Sequence, residues 1–159
     1  MHSKIIQITT NKAIELLNEN TLYQDNFSQY DYCSEISNDT RQEVIKDLVN
    51  NVLPKGMFTF IAPDTLRYNG SIEEWEKEFV ATIQQKAQEI TVNNWSEWAG
   101  ETYKLEKYLK NPLETSYQFY TGKYVEEPFA ECSRDFMQMV KKLHKGDILY
   151  IGGVIDYHF

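Results

Sequence analysis

Three groups of residues have types and spacings that could do chemistry. The first lies in KGDILYIGGVIDYHF, residues 145–159, where two apolar runs flank Gly152-Gly153. Gly-Gly between apolar runs is a two-residue hairpin signal. The resulting register sets Ile151 opposite Val154, Leu149 opposite Asp156 and Asp147 opposite His158. One face is then Ile148, Tyr150, Ile155, Tyr157 and Phe159. The other grades from apolar beside the turn to Asp147, Asp156 and His158 at the open end. A carboxylate beside an imidazole fixes its tautomer and stabilises its charged form, as a general base requires. The same cross-strand pairs are also ordinary sheet stabilisers, worth about 0.2–1 kcal/mol each. No nucleophile is placed nearby by the pattern, and a metal would need ligands from elsewhere, so neither a metal site nor a cofactor is expected.

The second group is aromatic. Trp95 and Trp98 in NNWSEW, with Tyr23, Tyr30 and Tyr32 in an aperiodic stretch, could form a binding platform, because Tyr and Trp combine large contact area with a polar handle. Aromatics in loops also serve as local packing anchors. The third group is the two thiols. Cys132 falls on the apolar period that runs from Phe129 to Leu143, which reads as an inert core position, and Cys33 stands among polar residues, where the sequence names no base or second thiol for it. Their spacing fits neither a disulfide framework nor a zinc ribbon. No Gly-rich phosphate loop, G-x-S-x-G or H-E-x-x-H occurs.

Positioning these groups requires a scaffold. KIIQI (4–8) reads as a strand, followed by a short helix capped at Thr10 or Asn11. SNDTRQEVIKDLVNNVLPKG reads as a helix capped by Asp39, with Val44, Ile45, Leu48, Val49 and Val52 on one stripe and Pro54 and Gly56 as stops. MFTFI (57–61) follows as a strand, and APDTLRYNG as a connection. Ser71 and Glu74 form a capping box ahead of a stripe at Ile72, Trp75, Phe79, Ile83, Ala87 and Ile90, which predicts a helix over 71–90 with that face packed. Leu105, Tyr108 and Leu109 suggest a short helix ended by Asn111-Pro112. Residues 115–125 alternate as a strand pair turned at Thr121-Gly122, and Pro128 opens a last helix that Gly146 closes. LPKGMFTFI and LHKGDILYI echo one another, as any two helix-to-strand joints through Gly can.

These elements predict an α+β fold: one domain spanning 1–159, a mostly antiparallel sheet, about four helices and a closing C-terminal hairpin. The chain has 159 residues, enough for its own core. Its net charge of −8 opposes binding to phosphate backbones and anionic membranes. No apolar run reaches signal-peptide or membrane-span length, which points to the cytoplasm. The composite expectation is a non-enzymatic module that binds a protein partner through aromatic-rich loops, with no direct nucleic-acid binding. Two alternatives accompany it: a small hydrolase or transferase using His158 with Asp147 or Asp156, and an acidic decoy for a nucleic-acid-binding protein.

Overall fold

The computed structural model of the chain describes residues 2–20, 32–122 and 132–158. Strand β1 (Ser3–Thr9) carries Ile5, Ile6 and Ile8, all fully buried. β2 is Tyr32–Glu35, and α1 runs Asn38–Asp47 before one π-helical turn at Leu48–Val52. The side chain of Ser37, not Asp39, caps α1 by accepting from the Thr40 N–H. β3 (Phe58–Ile61) and β4 (Thr65–Tyr68) pair as a hairpin. TLRY is therefore a strand and not a connection, with Leu66 and Tyr68 buried on alternate positions. Three helices follow: α2 (Ile72–Gln88), α3 (Trp95–Trp98) and α4 (Tyr103–Lys110). β5 (Gln118–Tyr120), α5 (Ser133–Lys141) and β6 (Ile148–His158) complete the order.

The α+β class and the mostly antiparallel sheet match the expectation, with five α-helices among the described residues. The sheet order is β3-β4-β6-β1-β5, and β2 also pairs with β6. Only β1 with β5 is parallel. β6 is the spine: β1 lines one edge from Tyr150 to Tyr157, while β4 and β2 share the other edge at its two ends.

The predicted closing hairpin does not form. β6 runs straight through Gly152-Gly153, and both glycines sit at a bulge. Its ladder with β1 shifts by one between Ile6↔Val154 and Ile8↔Ile151, so that Gln7 faces the two glycines. Neither glycine needs a positive φ; each is required by a close approach. A Cβ on Gly152 would lie 2.1 Å from Gln7 Oε1, and one on Gly153 would lie 1.9 Å from the Leu17 carbonyl oxygen. The buried Gln7 amide accepts from the N–H groups of Leu17 (2.8 Å) and Gly153 (2.9 Å) and donates to the Glu15 carbonyl (2.8 Å). On the opposite edge, in the gap between β4 and β2, the Arg41 guanidinium donates to the carbonyls of Ile151 and Gly152, both at 2.8 Å. The backbone groups that a bulge frees are thus satisfied by two side chains.

That clamp also overturns the helix expected after Thr10. Residues 10–18 are irregular, because Glu15 and Leu17 give backbone groups to Gln7; Leu17 is buried while Ile14 and Leu16 are exposed. The last helix begins at Ser133 rather than Pro128, and Pro128 lies outside the described residues, as does the second half of the strand pair expected over 115–125. The main core joins β1, β4, β5 and β6 to α1 and α5 through Ile6, Ile45, Leu66, Phe119, Phe136 and Leu149. Phe119 and Phe136 stack at 4.7 Å. A smaller cluster on the other face holds Ile5, Leu17, Cys33, Tyr120, Ile155 and Tyr157.

Candidate functional site

A one-residue bulge inverts side-chain parity along a strand just as a two-residue turn does. Leu149, Ile151 and Val154 therefore share one face and Ile155 and Tyr157 the other, as the hairpin register predicts. The pairing is what changes. Because β6 does not fold back, Asp147 and Asp156 stand roughly 30 Å apart at ~3.3 Å per residue. Asp147 is engaged in its own turn, where its carboxylate accepts from the His144 N–H at 2.8 Å. Two carboxylates around the His158 imidazole, the basis of the hydrolase reading, do not assemble.

Asp156 and His158 do remain together, at the far end of β6. Asp156 pairs with Lys4 Nζ at 2.5 Å and His2 Nδ1 at 3.2 Å, and the His2 ring sits 5.1 Å from His158 and 5.4 Å from Tyr32. His2 precedes strand β1, which delivers it to this corner. With its carboxylate shared between the Lys4 ammonium and the His2 ring, Asp156 serves a polar cluster at the sheet end. Among the described residues no group of three His, Cys, Asp or Glu side chains is arranged to hold a metal. Cys33 is buried on β2, and burial, with Asp156 nearby, pushes its thiol up to about 11, which makes it unreactive. Cys132 is half-buried at the N-cap of α5, outside the core stripe assigned to it.

The aromatic residues divide. Tyr23 and Tyr30 lie outside the described residues, and Tyr32 belongs to the histidine corner. Trp95 and Trp98 form the single turn of α3, with Trp95 59% exposed. Their setting is an arm. Of the seventeen residues of α2 only Ile72 and Trp75 are buried, and no residue of α3 or α4 is. The predicted stripe on α2 is real at its base, where Trp75 meets Phe136, but fades outward: Ile83 is half-buried, Ala87 is exposed and Ile90 is 42% exposed. Val92 (89%), Tyr103 (69%) and Leu109 extend the uncovered apolar surface.

A groove runs between α2 and α4. At its inner end a cavity of about 260 Å³ is lined by Trp75, Glu78, Phe79, Tyr108 and Glu114. It continues past Lys107 and Asn111 into an outer cavity of about 350 Å³, bordered by Trp98, Lys104, Lys107 and Tyr108. Tyr108 is common to the whole groove. Lys86 and Lys107 lie 5.0 and 4.9 Å from its ring centroid, and Lys104 lies 5.1 Å from that of Trp98. Glu114 holds a left-handed backbone, φ 49°, in the turn after α4, where its N–H donates to the Asn111 carbonyl. Sequence reasoning missed the groove residues. Nothing in the spacing of Lys104 and Lys107 signals a site, and the fold alone lays them over aromatic rings. No protein-family model, curated protein or solved structure matches the chain.

Proposed function

We propose that the protein is a non-enzymatic binding module of the cytoplasm whose interaction surface is the α2–α3–α4 arm, and that its partner is another protein. The observation that carries this reading is that Trp95 and Tyr103, on helices with no buried residue, and Val92, in the turn before them, stay uncovered. Large side chains kept in water cost free energy that a partner recovers on burying them, and Trp and Tyr are the residue types that dominate interface energetics. Among the described residues no helix is long and apolar enough to cross a membrane, so a bilayer-spanning role gives no account of that surface. The acidic-decoy alternative asks for an unbroken row of carboxylates. Along α2 and its C-cap, three of the acids instead meet lysines: Glu74 pairs with Lys77, Glu89 with Lys86, and Glu76 with Lys141.

A photo-crosslinking residue at position 103 tests the reading in cells, against a control at the exposed Thr10. The arm position is expected to trap a discrete protein adduct that the control does not. Trp95→Ala with Val92→Asp is expected to weaken the isolated complex at least tenfold while leaving the melting temperature unchanged. Equal adducts at both positions, or binding that survives both substitutions, would overturn it.

A further inference from the structure

We infer that the groove between α2 and α4 takes an extended peptide segment of mixed charge, with a basic side chain at the inner end and an acidic one at the outer end. The inference rests on the arm as interaction surface and adds the class of segment it accepts. Its warrant is the distribution of unpaired charge. Glu78 and Glu114 line the inner end, and neither carboxylate has a hydrogen-bond or ion-pair partner among the described residues. Lys104 and Lys107 border the outer end, held over Trp98 and Tyr108, and neither has a carboxylate partner there. Of the other charges nearby, Lys86 pairs with Glu89 and Lys110 with Glu106, Glu97 borders the outer end beside the two lysines with no ion pair among the described residues, and Lys107 also lines the middle of the groove with Glu114. Glu78 and Glu114 leave the inner end net negative, and Lys104 and Lys107 against Glu97 leave the outer end net positive, which is complementary to a ligand with the reverse polarity.

Length sets the kind of ligand. From Trp75 to Glu89 the helix rises about 21 Å at ~1.5 Å per residue, which an extended chain covers in roughly six or seven residues. Tyr108, midway, offers a ring against which an apolar or aromatic side chain of the segment packs. A nucleic-acid strand would bring phosphates past Glu78, Glu97 and Glu114, which repel them.

The test is selection of a displayed random twelve-residue peptide library on the full chain, followed by fluorescence anisotropy with the enriched peptides. Enriched sequences are expected to carry Arg or Lys separated by four to six residues from Asp or Glu. Glu78→Gln with Glu114→Gln, and separately Lys104→Gln with Lys107→Gln, are each expected to weaken binding roughly five- to tenfold, as befits exposed ion pairs. Replacing the peptide's basic residue should then cost nothing further in the Glu78/Glu114 variant. No enrichment, enrichment without that charge spacing, charge variants within twofold of the parent, or displacement by a single-stranded oligonucleotide would each overturn the inference. Peptides lost with Trp95→Ala but indifferent to the charge variants would overturn the groove and leave the arm reading standing.

Discussion

At the scale of single residues, a contact between a side-chain amide and two glycines sets the path of β6. Gln7 at 0% exposure holds three backbone groups at once, and the room for it exists only because positions 152 and 153 lack a Cβ. Gly153→Ala drives a methyl into the Leu17 carbonyl, a backbone atom that cannot rotate away. It is expected to cost about 1–3 kcal/mol in urea unfolding, in the range of core overpacking. A second residue-scale device sets acid sensitivity. The Asp47 carboxylate accepts from Asn51 (2.8 Å) and the Tyr117 hydroxyl (2.6 Å), which hold it below the usual carboxylate range against an opposing contribution from burial. A depressed folded value means stability that is present above about pH 4, the unfolded value, and is lost as pH falls through the folded one. Tyr117→Phe is therefore expected to cost about 1 kcal/mol at pH 7. The gap should narrow at pH 2.5, where Asp47 is increasingly protonated in both proteins; an equal gap at both pH values would assign the loss to packing.

At the scale of elements, legibility follows from whether a segment's pattern is decided locally. The α1 stripe of Val44, Ile45 and Leu48 and the base of α2 at Ile72 and Trp75 were readable, because a 3–4 period needs only one apolar neighbour. β4 was not, since four residues between Pro63 and Gly70 carry too short an alternation to outweigh the turn residues around them. The Ser71 capping box also misled: Ser71 adopts φ 76°, its side chain caps nothing, and the Ile72 N–H donates to the Tyr68 hydroxyl instead. The outer half of α2 obeyed the period without the burial the period predicts, and that mismatch marks the arm. Helices held by one another rather than by the sheet open at low free energy. Amide hydrogen exchange is expected to be fast over residues 84–110 and slow over β1 and β6, and a bound partner should slow the first region selectively. Uniform protection across the chain would contradict the division into body and arm.

At the scale of the whole molecule, the candidate site was legible only in its residue types. Trp95 and Trp98 stood out as aromatic candidates, but the lysines laid over Trp98 and Tyr108 depend on how the helices of the arm pack, and the separation of Asp147 from His158 depends on where β6 goes after Gly153. That strand ties β1, β2 and β4 together, so stability is concentrated in the sheet and the helices stacked on it. The arm is then free to be apolar, charged and exposed without a folding role. This division has a measurable form. Phe136, fully buried against Phe119, Phe58 and Trp75, is expected to cost about 3–5 kcal/mol when cut to Ala. Trp95 is larger, but cutting it to Ala is expected to change stability by less than about 0.5 kcal/mol, as at surface sites that make no structural contact. Urea unfolding of the two variants decides the point: a comparable loss for Trp95→Ala would mean that the arm is part of the fold's support, and its exposed rings would then lose their claim to be held in reserve for a partner.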